Sequence, residues 1–422
     1  MSEILIKGGC VVDMRPQPVV LRDTDVHVVD GVVAAAGRGL DAPGAEVIDA
    51  RERVVLPGFV DTHRHGWQSV VRAAALDVDL AGYLDRVAGR LAPALDPADV
   101  ATASLLTGLE CLDAGITTVQ DHAHIAYTPE HAAAVVEGLE ASGVRAVFGY
   151  GRPILDEPRP WFAGDVRRVR TDVLPADDGL VTMMLAAVGP SYVPVEEVVA
   201  EWALARELGL RVAVHVGAGP VARRPVALLR ELGIAEPGTV YVHGNSLPDD
   251  ELTLIADTGG ALSITPAVEA RMGHGGPTLG RVQALGVPAG LGVDVVTTVP
   301  GDMFSVMRAA ALTVDASGGE RVPMADVLRA ATLGGAAALG MADRIGSLRP
   351  GAQADIVLLR TDAVGVAGAH DPVGVAVNAH PGLVDTVLVA GRVVKRDGRL
   401  LHPAVAEVVA AANGVARRLV AG

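Results

Sequence analysis

Cysteine and lysine are both scarce in this chain of 422 residues. Cys10 and Cys111 are the only cysteines, so the sequence supplies neither a disulfide framework nor a zinc site built from several thiolates. Lys7 and Lys395 are the only lysines, and both lie far from the middle of the chain. Arginine therefore carries nearly all of the positive charge.

Long apolar runs are absent as well. No segment reaches the roughly 18 consecutive apolar residues of a membrane span, and the first residues lack the basic start and apolar core of a signal peptide. The 50 acidic residues outnumber the 35 basic ones, and the net charge of −15 repels polyphosphate backbones. We expect a cytoplasmic protein that binds neither membranes nor nucleic acids.

Short apolar runs alternate with amphipathic helical segments through the middle of the sequence. Such alternation is typical of parallel strands covered by helices on both faces. Eight units predict a (β/α)8 TIM barrel, and a doubly wound sheet is disfavoured because no glycine-rich dinucleotide motif follows the first strand. The strands are predicted at 53–61, 115–121, 145–151, 181–189, 211–216, 239–244, 261–266 and 288–294.

The two ends of the chain follow a different pattern. Residues 1–52 and the segment from 346 to about 400 alternate apolar and polar positions between turn signals, which indicates half-buried antiparallel strands. We predict a small composite β-sandwich domain from residues 1–52 and 346–422, closed by a C-terminal helix, around a catalytic barrel of residues 53–345. The irregular stretch 152–170 follows a strand end, where a substrate lid would lie.

Histidines lie at or just after the ends of several predicted strands. The stretch LPGFVDTHRHGWQ at 56–68 places His63 and His65 on one face of a strand. Others follow later strands, and Asp294 ends the last one; these histidines are His122, His124, His215, His243 and His274. Three neutral imidazoles and a carboxylate on one barrel rim suit Zn²⁺ or a similar ion with an open position for water. Alternatively, each side chain is satisfied locally.

Several motifs occur together in an order known from one superfamily. LPGFVDTHRH and AGITTV open the first two strands, VAVHVG and VHGNSLPDDEL carry single histidines, and LGVDVVT carries the aspartate. IGSLRPGAQADIVLL then returns to the terminal strands. With these motifs the chain resembles the amidohydrolase superfamily, in particular the branch of the triazine chlorohydrolases and the purine or pterin deaminases. The resemblance covers nearly the whole chain.

The resemblance implies a metal centre with defined roles. His63, His65, His215 and Asp294 would hold one divalent ion, with zinc favoured and iron or manganese as alternatives. His243 would lie beside the metal-bound water and polarise the group under attack, and Asp294 would also take the proton of that water. Binuclear members of the superfamily use a carbamylated lysine at a central strand; because the barrel has no lysine, a mononuclear catalytic site is expected.

One position departs from the family pattern. Deaminases of this branch commonly carry a glutamate three residues after the fifth-strand histidine as a proton shuttle, and here that residue is Ala218. Glu269 could replace it as an acid/base or bind substrate, or it could be a solvated helix residue. Further candidates for substrate contact are Gln68, Trp67, His122 and His274, for which packing roles are the alternative; His124 and Asp121 favour a structural role.

The expected function is metal-dependent hydrolysis of a C–N bond, by deamination or by amide or amidine hydrolysis, in a small cyclic or heteroaromatic substrate. Because the usual shuttle is missing, a non-hydrolytic lyase, dehydratase or cyclase reaction at the same metal is an alternative. A barrel that binds a ligand without turnover is a second alternative. A small molecule is the expected partner, and a homo-oligomer is expected only because the family commonly forms one.

Overall fold

The computed structural model describes residues 3–15, 17–157, 159–218, 224–318 and 320–421. Its strands form two separate sheets. The first sheet contains β1 (Glu3–Arg15), β2 (Gln17–Val29), β3 (Val32–Gly37), β4 (Glu46–Asp49), β5 (Arg53–Pro57), and, after the barrel, β14 (Ile356–Arg360), β15 (Val384–Val389), β16 (Arg392–Arg396) and β17 (Arg399–Leu400). The second contains β6 (Phe59–Arg64), β7 (Ile116–His124), β8 (Arg145–Gly151), β9 (Val181–Ala187), β10 (Val212–Val216), β11 (Val240–His243), β12 (Ala261–Ile264) and β13 (Ala289–Leu291).

Helices connect and cover these strands. They are α1 (Leu80–Tyr83), α2 (Pro97–Asp113), α3 (Pro129–Ser142), α4 (Phe162–Arg168), α5 (Val195–Glu207), α6 (Pro225–Glu231), α7 (Asp249–Asp257), α8 (Pro266–Met272), α9 (Leu279–Ala284), α10 (Met303–Ala316), α11 (Met324–Ala330), α12 (Leu333–Ala338), α13 (Pro372–Asn378) and α14 (Val405–Ala421). Short 3₁₀ or π segments span Gly66–Val71, Leu84–Leu91, Ala92–Ala94, Val169–Val173 and Pro381–Leu383. The C-terminal helix expected from the sequence is α14.

The second sheet is the predicted barrel. Its strands β6 to β13 pair in parallel and in chain order, and every residue of these strands is buried. The seam between the first and last strands is closed just beyond β13, where Asp294 N donates to His63 O at 2.8 Å and His65 N donates to Asp294 O at 2.9 Å. The TIM-barrel prediction is therefore confirmed, and the seam passes through three of the expected metal ligands.

The strand predicted over 53–61 is wrong in one respect, because it is two strands. β5 pairs with β1 and β14 in the first sheet, whereas β6 begins the barrel. The chain crosses between the sheets at Gly58, where a Cβ atom would lie 1.9 Å from Oγ1 of Thr117. The continuous apolar run hides this break, since both strands are buried.

The two ends of the chain combine into one mixed sheet of nine strands, ordered β17-β16-β15-β14-β5-β1-β2-β3 with β4 beside β1. This sheet encloses its own apolar cluster, to which both ends contribute through residues such as Ile6, Val26, Val55, Ile356 and Leu388. The expected pairing of the two termini in a separate β-rich unit is thus present.

A buried ion pair fastens the barrel to this sheet. Arg145, the first residue of β8, donates from Nε and one terminal nitrogen to the two carboxylate oxygens of Asp355, at 2.8 and 3.1 Å. The backbone N–H of Ala390 also donates to Asp355, at 2.6 Å. Both side chains of the pair are almost fully buried.

Replacing Asp355 by alanine is expected to destabilise the fold by about 3–5 kcal/mol, because the Arg145 guanidinium would stay buried without its partner. The thermal transition, followed by circular dichroism, measures the effect. Glu207→Ala, which removes the exposed partner of Arg167, serves as the control and should leave the transition unchanged. Equal transitions for the two variants would contradict the proposed anchoring role.

Candidate metal centre and active site

Four side chains converge at the carboxyl end of the barrel. His63 lies on β6 and His65 just after it, His215 lies on β10, and Asp294 follows β13. The Nε2 atoms of His63 and His65 are 3.4 and 3.6 Å from Oδ1 of Asp294. Ligands of one tetrahedral zinc ion are about 3.3–3.5 Å apart, given metal–ligand distances of about 2.0–2.2 Å. The spacing therefore fits a shared cation.

His63 gives the clearest test of this fit. Its side chain is fully buried, yet neither of its ring nitrogens has a hydrogen-bond partner among the described residues. Burying a polar group without a partner costs about 1–3 kcal/mol. A cation bound at Nε2 would satisfy this atom, so the donor set suits a divalent metal ion.

A hydrogen bond fixes the tautomer of His65 that leaves Nε2 free to bind a metal ion. Its Nδ1 is 2.7 Å from the carbonyl oxygen of His122, which can only accept a hydrogen bond. The proton of the neutral ring is therefore on Nδ1, and the Nε2 lone pair faces the cluster. Burial lowers the pKa of His65 to about 3, which keeps the ring in this neutral form.

Asp294 is ionised in this environment. Burial alone would raise the pKa of its carboxyl group, but the close contact with His63, whose Nε2 is 3.4 Å from Oδ1, and the electrostatic attraction of His63, His243 and His65 lower the pKa below its usual value. Asp294 and His243 also have left-handed backbone conformations, with φ of 68° and 77°. Such strain in non-glycine residues is uncommon and is concentrated at functional sites.

His243, at the end of β11, is held in position by contacts at its Nδ1 atom. Its Nδ1 lies 3.1 Å from Oγ1 of Thr265 and 3.4 Å from Oε1 of Glu269. Glu269 is fixed in turn, because it accepts hydrogen bonds from the backbone N–H of Thr265 at 2.7 Å and from Nδ2 of Asn245 at 3.0 Å. The carboxylate thus orients the His243 ring while the opposite side of that ring faces the cavity.

A small cavity of about 60 Å³ opens above the ligands. Its lining is mostly apolar and includes Trp67, Leu84, Met272 and Val295 together with Ala218. The hydroxyl-bearing side chains in the lining are Tyr83, Tyr127 and Tyr192. Three apolar residues that follow β8 also line the cavity, namely Pro153, Ile154 and Leu155. The last group lies within the segment predicted as a lid.

The other predicted site residues take different positions. Trp67 and His274 line the cavity, and both ring nitrogens of His274 are buried without a hydrogen-bond partner in the described part of the chain. Gln68, His122 and Glu269 are buried but are not among the lining residues. Gln68 instead donates to the hydroxyl of Tyr83 at 2.5 Å and accepts from Thr297 at 3.2 Å.

Sequence reasoning missed the wall formed by the segment after the first barrel strand. Leu80, Tyr83, Leu84 and Ala88 line the cavity from α1 and the following helical segment. Their spacing of three to four residues marks one helix face. That signal was present in the sequence, but it could not distinguish a cavity wall from an ordinary packed face.

The site and fold define a class of protein. The profile of the Amidohydrolase family matches residues 54–394, and the chain belongs to this family. Within the described residues, no helix is both long and apolar enough to cross a membrane.

Relatives with known names support this assignment. The chain is 30% identical over its whole length, and over the whole length of the relative, to a 5-methylthioadenosine/S-adenosylhomocysteine deaminase of Symbiobacterium thermophilum. It is similar to the crystal structure of an adenosine deaminase from Xanthomonas campestris with bound zinc (TM-score 0.88, 26% identity, covering 100% of this chain and 99% of that one). It is also similar to a zinc complex of atrazine chlorohydrolase from Arthrobacter aurescens (TM-score 0.87, 25% identity, 98% and 100% coverage). The protein is accordingly a metal-dependent hydrolase, and zinc is the metal that the comparisons favour.

Replacing His63 by alanine should remove one equivalent of bound metal relative to the parent protein, because it deletes a buried ligand at the barrel seam. Elemental analysis of zinc-replete protein after gel filtration measures this loss. His27, which lies in the first sheet and contacts Glu3 at 2.7 Å, provides the control variant His27→Ala. Unchanged metal content in His63→Ala would remove His63 from the ligand set.

Proposed function

We propose that this protein deaminates a small heteroaromatic substrate, with one catalytic divalent ion held by His63, His65, His215 and Asp294. The observation that carries the proposal is the convergence of these four buried side chains at the floor of a cavity, with His243 beside them. A divalent ion in such a site lowers the pKa of a coordinated water toward neutrality and thereby supplies a nucleophile. The relatives that are named as deaminases support the choice of a C–N bond.

Asp294 is the residue we assign to proton acceptance. Its Oδ1 faces His63 and His65, while its Oδ2 is 3.3 Å from the hydroxyl of Thr265. The ionised carboxylate can accept a proton at Oδ2, where the hydroxyl of Thr265 is the one hydrogen-bond donor found among the described residues. A positioned acid or base of this kind contributes about 10²–10⁴-fold to a rate.

His243 is assigned to the substrate. Because Nδ1 donates toward Thr265 and Glu269, Nε2 carries the lone pair of the neutral ring on the cavity side. There it can accept a hydrogen bond from an amino group or, when protonated, donate one to a developing negative charge. Glu269 then acts through His243 as a positioning residue rather than through contact with substrate.

The cavity supports a small, uncharged, planar substrate. Its walls are mostly apolar, and Asp294 is the only acidic side chain that lines it in the described part of the chain. No acidic residue occurs at the positions outside that part. We therefore propose that an amino-substituted ring with few polar substituents fits better than one that carries a sugar diol or a positive charge.

The presence of Ala218 favours a second candidate function, a non-hydrolytic reaction. This residue lines the cavity at the place where the family resemblance implies a shuttle carboxylate, and its methyl group cannot carry a proton. A lyase, dehydratase or cyclase reaction at the same metal fits this change if the bound metal ion, instead of a carboxylic acid, assists the leaving group. His274, with two unpartnered ring nitrogens in the lining, is our candidate for the missing proton donor in the hydrolytic case.

Two further properties belong to the proposal. A cytoplasmic location is supported by the unpaired state of both cysteines. The homo-oligomeric state rests on the habit of the family alone. A small molecule is the proposed partner, and the acidic net charge argues against nucleic acid.

The reaction can be tested with a panel of amino-substituted heteroaromatic compounds, including free bases, N-alkyl derivatives and nucleosides. We expect stoichiometric release of ammonium, incorporation of oxygen from ¹⁸O-labelled water, and a preference for the smaller compounds. Asp294→Asn should lower kcat by about 10²–10⁴-fold because the amide cannot accept the proton. Asp257→Asn, at an exposed position, is the control. Substrate consumption without ammonium or label would favour the non-hydrolytic candidate.

Glu269→Gln tests the positioning role. The amide keeps the volume of the carboxylate but weakens its hold on Nδ1 of His243, so we expect kcat to fall by about 10–100-fold, as for other residues that orient a ligand or catalytic histidine. KM should change little, and the pH profile of kcat should shift. A rise in KM with unchanged kcat would instead indicate direct substrate contact.

A further inference from the structure

A second group of imidazoles lies beside the catalytic ligands and is not used by the proposed reaction. β7 ends with His122 and His124, which are alternate residues and thus share a face. Both are buried, and with His215 they form a triad whose candidate ligand atoms all lie within 4.8 Å of one another. The Nε2 atoms of His122 and His124 are only 3.0 Å apart.

The ring of His124 is oriented in the same way as that of the catalytic ligand His65. Its Nδ1 donates to the carbonyl oxygen of Arg152 at 2.7 Å, just as His65 donates to the carbonyl oxygen of His122. Ligating histidines characteristically bind a carbonyl or carboxylate through the nitrogen that does not face the metal. The lone pair of His124 on Nε2 is therefore directed at Nε2 of His122.

Protein contacts alone leave His122 incompletely satisfied. If its Nε2 donates a proton to His124, its Nδ1 becomes a buried acceptor with no hydrogen-bond partner in the described residues. If a cation lies between the two rings, both Nε2 lone pairs are used and the proton of His122 is on Nδ1, so Nδ1 lacks a partner in either case and the spacing of the two Nε2 atoms is the observation that favours a cation. Two nitrogen ligands of a tetrahedral zinc are about 3.3 Å apart, close to the spacing found here.

Charge and access also allow a cation. The guanidinium of Arg152 is turned toward Glu197, at 2.5 Å, and the carbonyl of Asp156, at 2.7 Å, so its charge is compensated. His124 and His215 line the cavity, which gives an ion a route to the triad. A site with imidazole ligands and no carboxylate suits Zn²⁺, Cu²⁺ or Ni²⁺ and not Mg²⁺ or Ca²⁺.

We propose that His122 and His124 bind a second, accessory divalent cation beside the catalytic ion, with solvent completing its coordination, while His215 keeps its single lone pair for the catalytic ion. The accessory cation binds more weakly than the catalytic ion, because the protein supplies only two imidazole ligands and no carboxylate for it. Its own ligands are the two histidines of β7. The proposal is independent of the substrate and of the reaction.

Zinc binding to the full chain tests this site. Protein stripped with a chelator is dialysed against increasing free zinc, and metal per chain is measured by elemental analysis. We expect two zinc ions per chain at saturation, the second with lower affinity, and one per chain for His122→Asn/His124→Asn and for His63→Ala/His65→Ala. The control His380→Asn, at an exposed position, should retain both ions.

Two outcomes would overturn the accessory site. One is saturation of the parent protein at a single zinc ion; the other is a normal stoichiometry in the His122→Asn/His124→Asn variant. Because a double variant in the barrel can fail to fold, its circular dichroism and thermal transition are compared with the parent, and the single variant His124→Gln replaces it if they differ. Cobalt gives an independent readout, since loss of the second site removes one of two absorption components in the visible range.

Discussion

The central constraint on this structure is a set of imidazole rings buried inside the barrel, whose nitrogen atoms a bound cation would satisfy. His63, His122, His215 and His243 pack at centroid separations between 4.6 and 5.9 Å. All four rings are buried, and burial lowers the pKa of His122 and of His215, which keeps these two rings neutral. Such an arrangement is costly in an empty interior and favourable around a divalent ion.

Much of this could be predicted from the sequence, for a physical reason. Strand alternation fixes the face of each histidine, and a parallel barrel brings all strand ends to one rim, so the strand-end histidines and Asp294 could be grouped without coordinates. The choice of His63, His65, His215 and Asp294 as ligands came from the family resemblance. The extension of β7 as far as His124 was harder to predict. The predicted strand ended at residue 121, which left His122 and His124 outside it. Only the extended strand places His122 and His124 on one face, next to His215.

Long-range packing explains the remaining differences. Gly58 separates two strands within one apolar run, and only the approach of Thr117 from β7 reveals the break. The sequence suggests Glu269 as a possible acid/base, yet its hydrogen bonds with Thr265 and Asn245 depend on the approach of two strand ends, those of β11 and β12. Gln68, which the sequence suggested as a substrate contact, instead donates a hydrogen bond to the hydroxyl of Tyr83 in the cavity wall. Such pairings depend on distances across the barrel, which local patterns do not contain.

The seam of the barrel has a consequence for how the molecule holds together. β13 has only three residues, and beyond it the closing hydrogen bonds run between Asp294 and the segment His63–His65. An ion shared by these residues joins points roughly 230 positions apart in the chain, and closing so large a loop removes considerable entropy from the unfolded ensemble. Such an ion would hold the barrel seam closed in addition to its part in the reaction. We therefore expect loss of the metal to weaken the seam between β6 and β13 and to make the chain more sensitive to proteolysis.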